Sequence, residues 1–437
     1  MRRKIENDLV KWKLNEARKP LLLNGMRQVG KTWILKDFGK KNYENVHYFN
    51  FDSEPTLCEF FKTTKDPDKL LKNLSLLRGV RINTEDLIIF DEIQECNEAL
   101  NALKYFCESE VQYHIAGAGS YLGITLSKGA SFPVGKVEIM NMYPLTYREF
   151  LEASGETMLS EYIPTITVSE GVPQPIFEKM KSLFLEFYVV GGMPEIVAEW
   201  VKTKDIERIS YIQNNILNAY RSDFSKYAPR EIMPKILEIW DSIISQLSRE
   251  NKKFKYSEIK KSARAREYEA ALNWLVSGRY FQKIAKVKIG SLPLSAHVDL
   301  SHFKIYLSDV GLLRKKADLP SSIILENTSS NIPFKGALAE NVVLQELIAE
   351  YEKNIYYWAD KSNQELDYII QLHENVIPIE VKYGQNVKSS SLTRYLKTHP
   401  DQVGVRFSMK NLRLDGSVLN IPTFLVSELE RLYESVK

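Results

Sequence analysis

Two stretches of the chain carry residue types at spacings that chemistry requires. The first is Gly25-Met26-Arg27-Gln28-Val29-Gly30-Lys31-Thr32, a G-x-x-x-x-G-K-T phosphate-binding loop. Glycine at 25 and 30 permits backbone angles and close approaches that a Cβ forbids. The backbone N–H groups of Gln28, Val29 and Gly30, with the start of the following helix, can then face an anion. Lys31 can reach the β- and γ-phosphates of ATP, and the Thr32 hydroxyl can hold Mg²⁺. The matching acidic signal is Leu87-Ile88-Ile89-Phe90-Asp91-Glu92, an apolar run that ends in two acids. Asp91 is expected to hold Mg²⁺ through water, and Glu92 to polarise the attacking water. Ser120 follows a third apolar run and is a candidate sensor of the γ-phosphate, with a plain turn serine as the alternative. ATP and Mg²⁺ are the expected cofactors.

The second set lies near the C-terminus: Glu340, Asp367, Glu380 and Lys382. Glu380 and Lys382 are two apart and share one face if their stretch is a strand. Asp367 falls on the preceding strand and Glu340 on the helix before that. Carboxylates grouped in this way can hold Mg²⁺, and a lysine beside them can position a water that attacks a phosphodiester. A binding module with the same elements and no cleavage is the alternative.

These groups need elements to place them. Pro20–Asn24 reads as a short buried strand before the loop, and Trp33–Phe38 as the opening of a helix. Further strands are expected at 46–51, 87–90, 111–116 and 133–139, with helical stretches over 5–17, 54–84 and 98–107. A fully buried parallel strand delivers Asp91 and Glu92 at its C-terminal edge, beside the loop. Lys136 reads as a solvated strand end. Gly171-Val172-Pro173-Gln174-Pro175 breaks the pattern. After it, Ile232, Ile236, Ile239, Ile243 and Leu247 form a core-facing helical stripe. A capped helix is expected to start at Tyr256, another to run over 263–276, and strands to follow at 280–287 and near 304–307, the order of a winged helix. Residues 249–266 hold eight basic and two acidic side chains. Lys252, Lys253, Lys255, Lys260, Lys261, Arg264 and Arg266 can meet the phosphates of DNA, or form a face for a protein partner. The C-terminal order reads αβββαβ.

Composition bounds the answer. The chain has 437 residues, 44% hydrophobic and 26% charged, with a formal charge of +3. That is ordinary for a globular protein of two to four domains, and it excludes a polyanion-binding signature spread over the whole chain. Cys58, Cys96 and Cys107 show no metal or redox spacing and read as reduced thiols. The six histidines are scattered. The N-terminus has no apolar h-region, and no apolar run has the length of a membrane span. A cytoplasmic enzyme without membrane contact is expected.

The loop, Asp91-Glu92-Ile93-Gln94, Ala118-Gly119-Ser120-Tyr121-Leu122-Gly123 and Tyr143–Leu151 together resemble the prokaryotic AAA-like ATP-binding proteins that carry a C-terminal domain of uncharacterised function. The resemblance continues in Val190–Glu195, Ser222–Tyr227 and Tyr306–Leu313. It implies ATP binding and an AAA-type core, and supplies no substrate. Where such relatives carry a Gly-Arg pair, this chain has Gly135-Lys136, and lysine lacks the bidentate fork of an arginine finger. The tail, Glu340…Asp367…Glu380-x-Lys382, looks like the PD-(D/E)xK nuclease core. The expected fold is therefore α/β: an AAA-like P-loop NTPase domain with a parallel sheet over 1–165, a helical and winged-helix domain over 166–325, and a restriction-endonuclease-like α/β domain over 326–437.

Overall fold

The structure is a computed structural model and describes residues 1–120, 133, 135–326, 333–360, 364–384 and 390–437. Two compact units divide the chain: Arg2–Tyr143 together with Ser277–Arg279, and Pro144–Val276 together with Tyr280–Lys437. The break falls at Tyr143, earlier than the boundary expected at 165, and the boundary expected at 325 lies inside the second unit.

The first unit is built on five parallel strands: β1 (Leu21–Gly25), β2 (Val46–Asn50), β3 (Leu87–Asp91), β4 (His114–Gly119) and β5 (Glu138–Met142). Their order across the sheet is β2-β3-β4-β1-β5. Such strands are covered on both faces, which is why β3 and β4 are buried at every position. The register sets Asn50 opposite Asp91, Asp91 opposite Ala118, and Asn24 opposite Gly119, so the C-terminal ends of four strands form one edge. One face of β3 packs into an aromatic core, where the Phe61 and Phe90 rings meet edge-on with centroids 5.6 Å apart.

Local chemistry moves several expected boundaries. The stretch 54–84 is two helices, Leu57–Thr63 and Pro67–Arg78. Asp66 caps the second by accepting from the N–H groups of Asp68 and Lys69, and Gly79 stops it in a left-handed conformation. The last strand begins at Glu138, because Lys136 N–H closes a turn onto the Pro133 carbonyl. Cys58 and Cys96, read as reduced thiols, are joined in a disulfide. They are 38 residues apart in the chain, and the packing of the Leu57–Thr63 helix against the helix Asn97–Glu108 brings them together. Tyr121, Leu122 and Gly123 lie outside the described residues.

The second unit holds eight strands in the order β12-β13-β11-β10-β9-β8-β6-β7. They are β6 (Phe281–Val287), β7 (Val298–Leu307), β8 (Ile355–Ala359), β9 (Glu365–Leu372), β10 (Asn375–Val381), β11 (Gly404–Ser408), β12 (Arg413–Asp415) and β13 (Val418–Pro422). β6 and β7 form an antiparallel pair, and β6 also runs parallel to β8, so the middle and C-terminal parts share one sheet. Met233–Leu247 and Ala265–Ser277 are helices, with Ile236, Ile239, Ile243, Leu247, Leu272 and Leu275 buried as the stripe requires. Between them the expected helix at Tyr256 is a single 3-10 turn, Tyr256–Glu258. It has no side-chain cap and buries no residue, so nothing offsets the cost of nucleating a longer helix. The helix Phe334–Tyr351 is buried along most of its length. Two of its polar residues meet backbone groups: Gln345 accepts from Val310 N–H at 2.9 Å, and Glu346 from Tyr147 N–H at 2.9 Å. Among the described residues no helix is long and apolar enough to cross a membrane.

Candidate nucleotide site and the acidic site of the tail

The phosphate loop sits at the C-terminal end of β1, the strand between β4 and β5. An added Cβ on Gly25 would lie 2.4 Å from the Met142 carbonyl oxygen. Gly30 has φ +98° and Gln28 φ +64°, the left-handed angles that turn the loop back on itself. Gly30 is also the N-cap of the helix Lys31–Asn42, and no side chain caps it. The first N–H groups of that helix are therefore available to an anion.

Lys31 is buried, and its Nζ donates to the carbonyls of Gly25 and Met26, each at 2.9 Å, and to Ser120 Oγ at 3.0 Å. Burial lowers its pKa to about 8; Glu92 and Asp91 oppose that shift, while Arg27 and Arg279 add to it. A phosphate group entering here restores the partner that burial removes. Thr32 Oγ1 donates to Asp91 Oδ2 at 2.9 Å. A hydroxyl and a carboxylate at one point are oxygen donors of the kind a hard cation takes, so these residues fit Mg²⁺. Thr32 and Asp91 would hold the ion, which would supply positive charge against the phosphates of bound ATP. Glu92 follows β3 with φ +48°, a left-handed angle costing about 1–2 kcal/mol in a residue with a Cβ. Its Oε2 accepts from Gln94 Nε2 at 2.6 Å. The candidate residues Gly25, Gln28, Val29, Gly30, Lys31, Thr32, Asp91, Glu92 and Ser120 thus line one sheet edge.

Two further residues join them. Tyr48 Oη donates to Asp91 Oδ2 at 2.7 Å and accepts from Asn50 Nδ2 at 3.1 Å. Two-residue alternation on β2 places Tyr48 and Asn50 on one face, but only the register of β2 on β3 points that face at Asp91. Arg279 donates to Asn141 Oδ1 at 2.6 Å and lies 5.5 Å from the Tyr143 ring centroid. No spacing rule links it to the loop. Lys136 lies in the turn before β5, not at the strand end expected, and pairs with Glu108 at 2.9 Å at the surface.

In the second unit, a cavity of about 630 Å³ is lined by Glu340, Glu365, Asp367, Glu380, Lys382 and Lys252, among others. The expected four are therefore together, but they do not converge on one ion. No choice of one oxygen from each of Glu340, Asp367 and Glu380 places all three within 4.8 Å of one another. Both oxygens of Glu340 are taken: Lys252 Nζ holds Oε1 at 2.7 Å and Tyr306 Oη donates to Oε2 at 2.7 Å. Asp367 Oδ2 accepts from Val381 N–H at 2.8 Å. Lys382 Nζ turns to Glu380 Oε1 at 2.8 Å. Lys304, fully buried, pairs with Glu365 at 2.5 Å. Burial, then the Glu340 charge, pushes the Asp367 carboxyl up to about 7. Burial also works against ionised Glu340, but Lys252 and Lys304 outweigh it and hold that carboxyl below its usual range. As arranged, these residues do not fit a divalent cation. Sequence spacing could not find Lys252, Lys304, Tyr306 or Glu365, because each reaches Glu340 or its neighbours across long separations in the chain.

Comparison with known proteins follows the same division. Residues 17–151 match an AAA domain family, residues 181–322 a domain of unknown function (DUF8612), and residues 335–424 a second one (DUF4143). No curated protein matches the sequence. Among solved structures, a Walker-type ATPase of Pyrococcus abyssi is 15% identical, with a TM-score of 0.46 over 72% of this chain and 95% of its own. The Thermotoga maritima RuvB Holliday junction branch migration motor is 14% identical, with a TM-score of 0.31 over 72% of this chain and 95% of its own. C. elegans PCH-2 is 12% identical, with a TM-score of 0.28 over 46% of this chain and 63% of its own. The matched family and the loop geometry agree on one stretch, and residues 17–151 are an AAA-type P-loop ATPase domain.

Proposed function

We propose that the chain binds ATP with Mg²⁺ at residues 25–32 and hydrolyses it, and that it uses the turnover to act on nucleic acid. The observation that carries the first part is the pair of contacts at the loop mouth: Lys31 on Ser120 and Thr32 on Asp91. In this reading Lys31 holds the β- and γ-phosphates, Asp91 and Thr32 hold the ion, and Ser120 meets the γ-phosphate. Glu92 polarises the water, and swinging it off Gln94 readies it. Lys31→Ala is expected to weaken ATP binding, measured by titration with a fluorescent ATP analogue. Glu92→Gln is expected to keep binding and slow steady-state hydrolysis about 100-fold or more. Equal turnover in Glu92→Gln and the unaltered protein removes Glu92 from this role.

The nucleic-acid part rests on Met233–Leu247, the short turn, Ala265–Ser277 and the β6–β7 hairpin, read as a winged helix. In it Lys255, Lys261, Arg264 and Arg266 are exposed. The tail is read as a nuclease-like core that gathers Glu340, Asp367, Glu380 and Lys382 on one cavity and, with these groups already held by partners in the same unit, serves as a binding module. A nucleotide-dependent switch that binds protein is the competing reading, and the salt dependence of DNA binding separates the two.

A further inference from the structure

Cys96 joins two pieces of chain that bear on Glu92. Its N–H donates to the Ile93 carbonyl at 3.1 Å and closes the turn Ile93–Glu95, and it is the N-cap of the helix Asn97–Glu108. That turn carries Gln94, which holds Glu92 Oε2. The disulfide to Cys58 ties the same turn to the short helix Leu57–Thr63. We propose that Cys58 and Cys96 are a redox modification site: oxidised, the pair pins the turn and keeps Glu92 on Gln94; reduced by a dithiol, it lets Glu92 go. The inference rests on reading Glu92 as the residue that polarises water, and goes beyond it by naming what controls that residue.

Burial gives the exchange a direction. Cys58 is half-buried, whereas Cys96 is 1% exposed. An attacking thiolate therefore reaches Cys58 Sγ; the Cys58–Cys96 bond breaks, and Cys96 leaves and takes up a proton. The reductant's second thiol then attacks the mixed disulfide, closes its own disulfide and releases Cys58 as a thiol. Two electrons and two protons pass to the pair. Glu98 Oε2 lies 3.4 Å from Cys58 Sγ and 3.8 Å from Cys96 Sγ. A disulfide has no hydrogen to donate to that carboxylate, and two thiols have, so Glu98 favours the reduced pair. A disulfide whose reduced form is stabilised is the labile, regulatory kind. Gln94 Oε1 is buried without a hydrogen-bond partner, an unmet acceptor that the closed turn imposes and an open one relieves.

The test is steady-state ATP hydrolysis by the full chain after oxidation with oxidised glutathione and after incubation with dithiothreitol, with each cysteine's state read by alkylation and mass spectrometry. Reduction should raise turnover about tenfold at saturating ATP. Cys58→Ser should show the fast rate in both conditions, and Gln94→Ala should show it with the disulfide closed. Equal turnover of the oxidised and reduced unaltered protein overturns the switch and leaves the ATPase reading in place. Amide hydrogen exchange at residues 93–97 needs neither a variant nor hydrolysis, and should quicken about tenfold on reduction. Unchanged exchange, or Cys58 and Cys96 both alkylated after oxidation, overturns the proposal. Exchange that quickens in a protein with no turnover in either state overturns the ATPase reading alone.

Discussion

Asp91 Oδ2 receives three donors, the hydroxyls of Thr32 and Tyr48 and, at 3.5 Å, the Asn50 amide. Thr32 is legible from the loop motif because the ligand imposes its spacing. Tyr48 is not, because a contact between neighbouring strands depends on register that no local pattern encodes. A hydrogen bond to a charged group is worth about 1.5–3 kcal/mol. Tyr48→Phe is accordingly expected to lower ATP turnover about tenfold with ATP affinity nearly unchanged. Turnover within twofold of the unaltered protein would show that the carboxylate is fixed without Tyr48. Arg279 bears on the same loop, since its charge helps to lower the Lys31 pKa. Arg279→Ala should raise the Kd for ATP about tenfold while leaving the melting temperature of the first unit unaltered. In the tail the four candidate residues were found from spacing and element order, which did place them on one cavity. What spacing could not reveal is that Glu340 is already saturated by Lys252 and Tyr306, partners that three-dimensional packing alone supplies.

At the level of elements, two of the three stretches that extend the resemblance without offering chemistry meet. Asp309 caps the helix Val310–Lys316, accepting from Leu312 N–H at 2.8 Å, and its other oxygen accepts from Gly192 N–H at 2.6 Å. Val190–Glu195 and Tyr306–Leu313 are thus two halves of one joint. The Asp309 carboxyl is buried, and burial pushes its pKa up to about 6 from 3.8, against the pull of the backbone donors. Between those values the folded chain keeps a proton that the unfolded chain has released, so this group's contribution to stability falls as pH rises from about 4 to about 6. The whole shift corresponds to about 3 kcal/mol. Asp309→Asn has no such dependence. The unaltered protein's melting temperature relative to Asp309→Asn should therefore be higher at about pH 4.5 than at about pH 7.5, and equal differences would place the shift elsewhere. The helix stripe is simpler. Ile239 has no exposed surface, and Ile239→Ala should cost about 3 kcal/mol in denaturant unfolding. Periodicity found that helix, since its signal repeats over four turns. The 3-10 turn at Tyr256 escaped because a start signal without a buried face cannot carry a helix.

For the molecule as a whole, nucleic-acid binding has a quantitative signature. Each phosphate contact contributes about 0.9 to the slope of log affinity against log salt. Reversing Arg264 and Arg266 to Glu is expected to flatten that slope by about 2 and to leave basal ATP hydrolysis intact. An unchanged slope in the folded double variant favours protein contacts. An order of elements read along the chain does not show whether one sheet continues across 326. β6 pairs with β8 across it, Ala285 opposite Tyr356 and Val287 opposite Trp358. A fragment starting at 326 would leave the β8 edge bare, and bare edges template aggregation. It should be insoluble where a fragment spanning 144–437 is not, as sedimentation of the two expressed fragments would show. The same pairing has a consequence in time. The β6–β7 hairpin is complete early in synthesis, yet one side of β6 has no partner until β8 is made, well after the intervening helices. Closing contacts between distant segments is slow, so the middle of this chain must stay open, and exposed to chaperones, until its end arrives.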